Sequence, residues 1–131
     1  MNLTIWHYYN GAQLSAFDAI VDAFNSTVGQ EKGIYVSSYS KGSVNDLESA
    51  VRDSLEGKVG AEPLPDLFSS YSDTAFNAEQ AGALANLSDY FTQEELDDYI
   101  PSYVKEGCIA ADGSLRIFPI AKSTEIMILN K

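Results

Sequence analysis

The chain has 131 residues, 45% of them hydrophobic, enough for one domain with a buried core. Its 8 basic and 19 acidic side chains leave a net charge of −11, which argues against nucleic acid and anionic membranes as partners, since both need a basic face. The single cysteine, Cys108, permits no intrachain disulfide and no cysteine-built metal site, and reads as a small buried apolar residue.

The first predicted element is an apolar strand over residues 3–6, which runs directly into the stretch WHYYNG. Asn10 and Gly11 are ordinary turn residues there, whereas a simple turn has no need of Trp6, His7, Tyr8 and Tyr9. Leu14, Phe17, Val21, Phe24 and Val28 then recur at three and four, one face of an amphipathic helix. Asn10 is its expected N-cap, with Gln13 three residues later, and Gly29 its expected end.

A second strand is predicted over residues 34–39 and a second helix through Leu47, Ala50, Val51 and Leu55, with Ser43 capping its start and Gly57 its end. A Gly/Pro-rich loop over residues 57–65 leads to a third strand at residues 66–70 and a short helix at residues 74–81. Strands alternating with helices predict an α/β fold, a mostly parallel central sheet with helices on both faces.

Beyond this point the pattern is less regular. Residues 87–91 read as a turn, and Thr92 to Glu95 as a capping box opening a short acidic helix whose EELDDY run is a solvated face rather than a metal site. Residues 107–116 read as a hairpin turning at Asp112 and Gly113, and residues 126–129 as a closing apolar strand. No apolar run reaches membrane-spanning length, and no leader precedes Leu3. An export signal is therefore expected to have been removed or never to have existed, with Met1 standing where a longer sequence was cut.

Tests for chemistry are mostly negative. Neither a phosphate loop nor GxGxxG nor GxSxG occurs, and His7, the one histidine, has no serine or cysteine partner at a recognisable spacing. With one histidine and one cysteine, a zinc or iron site would need mostly carboxylates, so no cofactor or metal is expected. Only Asp73 and Glu125 stand apart from the acidic helix faces as acids near strand ends.

Ligands of open α/β sheets bind beyond the carboxyl ends of the strands. In this chain those ends carry WHYYN, then Tyr39 to Ser43, then Ser70 to Asp73. Rings beside hydroxyls, amides and a carboxylate suit a polyhydroxylated ligand, whose C–H faces stack while its hydroxyls bond directionally. Trp6 reads as core, His7 as either structural or ligand-facing, Tyr8, Tyr9 and Tyr71 as ligand-facing, and Lys41 to Ser43 as a capped helix start.

Four stretches, TIWHYYNGAQLSAFDAIVDAFN, YSKGSVNDLESAV, PDLFSSYSDTAFNAEQAGALANLSDYF and FPIAKSTEIMILNK, together resemble the N-terminal lobe of the extracellular solute-binding proteins, the sugar-type receptors of ABC importers. The resemblance implies a periplasmic-binding-protein-like lobe spanning residues 1–131, cut near the first crossing to a second lobe, with no enzymatic activity. It also implies an extracytoplasmic site, periplasmic or lipid-anchored, and the membrane subunits of an ABC transporter as partners. Carried over by position, ligand contacts fall on His7, Tyr8, Tyr9, Asn10, Ser40, Lys41, Tyr71, Ser72, Asp73, Ser123, Thr124 and Glu125.

The stretch WHYYNG and the ending also look similar to the family's glycerol-3-phosphate branch, but Tyr71 stands where an acidic residue is expected there, which favours a carbohydrate or related polyol. An open cleft face makes self-association of the lobe an expectation. Two other classes compete. A signalling receiver domain needs acids after its first strand and an aspartate ending its third, where this chain has His7-Tyr8-Tyr9 and Ser69-Ser70. A carbohydrate-active enzyme fragment would need Asp73 and Glu125 facing each other across a substrate.

Overall fold

The computed structural model describes residues 1–121; the expected closing strand at 126–129 lies outside the described residues. Three parallel strands, β1 (Asn2–His7), β2 (Tyr35–Ser40) and β3 (Leu67–Phe68), form a sheet in the order β2-β1-β3. Register runs from Asn2 opposite Tyr35 to His7 opposite Ser40 on one side, and sets Ile5 opposite Leu67 and Trp6 opposite Phe68 on the other. Among the described residues, six α-helices follow the strands: α1 (Gly11–Ser26), α2 (Val28–Lys32), α3 (Val44–Leu55), α4 (Ser72–Gln80), α5 (Gln93–Asp97) and α6 (Pro101–Glu106).

Successive side chains of a strand point to opposite faces, and β1 uses both. Trp6 packs with Leu47 and Val51 of α3, a cluster joined by Tyr8, Ala50, Leu55, Leu64 and Phe68. His7 turns the other way, against Phe17 of α1, with ring centroids 4.8 Å apart. Helices thus cover both faces of β1. Each large side chain buried here contributes about 2 kcal/mol. Edge strand β2 is covered at Val36, whose N–H donates to Asn25 Oδ1 and whose C=O accepts from Asn25 Nδ2, both at 2.8 Å.

Four expectations shift. The first helix does not end at Gly29. The hydroxyls of Ser26 and Thr27 donate to the carbonyls of Asp22 and Ala23, and the chain breaks at Thr27 into α2, which stops at left-handed Gly33 (φ 68°). Gly29 is instead a close approach, since a Cβ there would lie 2.6 Å from the carbonyl oxygen of Ile34. Asn10 occupies the N-cap position of α1, but its side chain makes no capping bond and donates to the carbonyl of Gly42 at 3.2 Å.

The third strand shrinks to two residues. Pro65 has no N–H, and the Asp66 carboxylate accepts from the N–H and hydroxyl of Thr4 at 2.8 and 2.9 Å, replacing backbone pairing by a side chain. The predicted hairpin over residues 107–116 is not a strand ladder. Gly113 turns at φ 76° as expected, but Asp112 takes the N–H and hydroxyl of Ser114, and the Gly107 carbonyl accepts from both Arg116 and Ile117. Arg116 ties this loop to α4, its Nε 3.2 Å from Glu79 Oε2, near enough for charge attraction though out of line for a hydrogen bond. The expected capping box is present, with Thr92 and Glu95 bonded reciprocally.

Candidate functional site

Parallel alignment of the three strands brings their carboxyl ends to one edge, so the segments after His7, Ser40 and Phe68 meet there. The first two are stitched together. Lys41 N–H donates to the His7 carbonyl at 2.8 Å, the Ser40 hydroxyl donates to the Tyr9 carbonyl at 2.6 Å, and the Ser40 oxygen accepts from Gly42 N–H at 3.1 Å. Gly42 makes this turn possible with φ of 85°, a conformation open to glycine at little cost.

Rings line the edge. Tyr9 stacks on His7 with centroids 5.2 Å apart and leans on Phe17 at 5.2 Å, while Tyr8 lies 5.2 Å from Tyr9 at a 54° tilt. Burial, then the neighbouring phenols of Tyr71 and Tyr9, raise the Tyr8 phenol above its ordinary value. Tyr71, 55% exposed, presents the most open ring of the group. Ser72 begins α4, and the Asp73 carboxylate accepts from Thr74 N–H at 2.8 Å.

His7 has no exposed surface. Its Nδ1 accepts the Tyr9 N–H at 3.2 Å, which requires the tautomer protonated at Nε2, and Nε2 has no hydrogen-bond partner among the described residues. Burial lowers the imidazole pKa, and the Asp18 carboxylate opposes that shift. Lys41 also turns inward: its ammonium lies 3.8 Å over the Trp6 ring and 2.8 Å from Glu62 Oε1. Trp6 is core, at 3% exposure.

Of the expected contacts, Tyr8, Tyr9, Asn10, Ser40, Lys41, Tyr71, Ser72 and Asp73 all lie at the ends of the three strands or on the segments that follow them at this edge, and His7 is buried beneath Tyr9. Ser123, Thr124 and Glu125 lie outside the described residues, so the Asp73 and Glu125 pair has no geometry here. Three participants went unread in the sequence: Phe17, assigned only to a helix core face, Asp18, which faces His7, and Glu62, which sits in a loop 21 residues from Lys41 with no local signal of pairing. Among the described residues no group of three His, Cys, Asp or Glu side chains is placed to hold a metal ion. An open concavity of about 790 Å³ lies at the other edge of the sheet, by Met1, Asn2, Gly33 and Tyr35, away from the stitched loops. The aromatic edge itself is a wall rather than an enclosed cavity.

The family model for the bacterial extracellular solute-binding proteins matches residues 19–131. The chain belongs to this family. Among solved structures, this solute-binding protein is similar to the cyclic alpha-maltosyl-1,6-maltose binding protein from Arthrobacter globiformis, at 25% identity and a TM-score of 0.70 over 87% of the present chain. The maltose/maltodextrin-binding domain MalE from Bdellovibrio bacteriovorus, solved bound to maltotriose, shares the fold at 16% identity and a TM-score of 0.66 over 88%. The chain spans 27% of the length of each. Comparison with curated proteins gave no match. The family and these neighbours are binding proteins, not enzymes, and the α/β architecture is of the periplasmic-binding-protein type.

Proposed function

We propose that this solute-binding protein forms the N-terminal lobe of a two-lobed receptor that delivers an uncharged carbohydrate or polyol to an ABC importer outside the cytoplasm. The observation that carries this reading is the tyrosine wall at the carboxyl edge: Tyr8, Tyr9 and Tyr71 offer ring faces to a sugar, with Asn10, Ser72 and Asp73 beside them for its hydroxyls. The sugars named for the structural neighbours agree with it.

Electrostatics favours an uncharged ligand over a phosphorylated one. Lys41, a cation at this edge, is held by Glu62 and the Trp6 ring, and the N-terminus of α3 already carries Asp46, bonded to Ser43. An incoming phosphate would meet that carboxylate and a net charge of −11. A single wall buries one side of a ligand at nearly the full entropic cost of capture, so the lobe alone binds weakly.

The test is a thermal-shift and calorimetric screen against mono- and oligosaccharides and glycerophosphodiesters, run on this chain and on a polypeptide carrying both lobes. Stabilisation of the two-lobed form by a neutral sugar is the expected result. Stabilisation only by a glycerophosphodiester, or by no carbohydrate at all, overturns the assignment.

A further inference from the structure

The two peptide groups that flank Tyr9 are each held by a side chain that family resemblance gives as a ligand contact. His7 Nδ1 accepts its N–H at 3.2 Å, and Ser40 Oγ donates to its C=O at 2.6 Å. The atoms of these groups that face Tyr9 are committed, while His7 Nε2 has no hydrogen-bond partner among the described residues and the exposed Ser40 keeps a second lone pair. His7 is fully buried, and its one ring acceptor is used on Tyr9. The Ser40 hydroxyl has a single proton, spent on the Tyr9 carbonyl, and one of its lone pairs already receives Gly42 N–H.

We infer that His7 and Ser40 act as positioning residues: they lock the backbone of Tyr9 and so set the Tyr8–Tyr9 ring pair. This rests on the reading of that wall as the sugar-binding face. The geometry explains why two strand ends must cooperate. A tyrosine in a loop has its ring direction set by a backbone with two soft dihedrals per residue, and a side-chain bond to the N–H and another to the C=O remove that freedom before any ligand arrives. Ser40 belongs to β2 and His7 to β1, so the wall holds its shape only while the two strands stay in register, with His7 opposite Ser40.

Backbone amide exchange followed by NMR on the ligand-free chain separates the possibilities, because Gly42 and Tyr9 report different bonds. Loss of the hydroxyl in Ser40→Ala should speed exchange at both amides, by roughly tenfold for one hydrogen bond, and Ser40→Thr should restore both. Acceleration at Gly42 alone would mean that Ser40 serves only its own turn, and would overturn the proposal. So would unchanged exchange at both amides, or a Ser40→Thr variant that behaves like Ser40→Ala.

His7→Asn, which keeps an acceptor near the Nδ1 position, should preserve Tyr9 protection, whereas His7→Leu should lose it; equal protection in the two overturns the role given to His7. Binding of neutral mono- and oligosaccharides by the wild-type two-lobed polypeptide is a separate arm. Failure with all of them would refute the sugar reading and leave the exchange result standing.

Discussion

The ammonium of Lys41 sits 3.8 Å above the centroid of the Trp6 ring and 2.8 Å from Glu62 Oε1. Trp6 is the only tryptophan, and the Lys41 side chain is 15% exposed against 68% for Glu62. The two contacts therefore differ in worth. A cation over a shielded indole contributes about 1 kcal/mol, while an ion pair with so exposed a carboxylate contributes less than about 0.5 kcal/mol. Lys41→Met keeps the packed stem and removes the charge, so it should destabilise the fold by about 1 kcal/mol in urea unfolding and alter Trp6 emission. Glu62→Gln should do little to either. Equal effects of the two substitutions would show that the ion pair, not the ring, holds Lys41.

Gly29 tests a different constraint. A Cβ at this position would lie 2.6 Å from the Ile34 carbonyl oxygen and 2.9 Å from that of Phe24, and both are backbone atoms that cannot swing aside. Elsewhere a glycine-to-alanine change within a helix is favourable by up to about 1 kcal/mol. Here Gly29→Ala should destabilise by about 2 kcal/mol or more, because α2 must move away from the start of β2. A stabilised variant would contradict the close approach.

This glycine also shows where the sequence was legible and where it was not. The apolar spacing of Leu14, Phe17, Val21 and Phe24 announces a helix because burial selects residues at three and four, and a glycine after such a run suggests a C-cap. Two glycines followed, but the hydroxyl back-bonds of Ser26 and Thr27 accompany the break that ends α1 before either, and Gly33 ends only the short α2. The Thr92 to Glu95 box was readable since its bonds are local.

At the edge, strand order collected the right segments, but not the direction of each side chain. His7 and Lys41 look like ligand groups by type, and whether each turns inward depends on Phe17, Asp18 and Glu62, which are 10 to 21 residues away in sequence. The third strand was over-extended because nothing in its residue types reveals that the Asp66 carboxylate takes the Thr4 N–H.

Acid should expose the state of His7. Its folded pKa lies below the ordinary 6.5, chiefly through burial, with Asp18 the opposing charge. Between the two values the unfolded chain binds more protons than the folded one, so stability is full above 6.5 and falls as pH drops towards the folded pKa. Asp66, Glu95 and Asp112, each lowered by hydrogen bonds, lose their contributions in a separate window, as pH falls from their ordinary values of 3.8, 4.5 and 3.8 through still lower folded values. Urea midpoints measured from pH 7 downward should therefore decline first in the histidine range. His7→Asn should remove that first decline and leave the carboxylate one. An unchanged first decline in the variant would assign it to another group.

The tyrosine wall makes the last prediction, for a polypeptide carrying both lobes and whichever neutral sugar stabilises it in the screen proposed above. If rings grip the sugar by their faces, Tyr9→Ala and Tyr71→Ala should each weaken affinity by about tenfold or more, on the order of 1 to 3 kcal/mol for a central aromatic contact. Tyr71→Phe keeps the face but removes the phenol beside Tyr8, so it should lose only a fraction of that and should lower the raised Tyr8 pKa. Spectrophotometric titration of the phenols and calorimetry on the same three variants give the comparison. Equal losses for Tyr71→Phe and Tyr71→Ala would show that the hydroxyl rather than the ring face is the recognition group, and would turn the wall from a stacking platform into a hydrogen-bonding one.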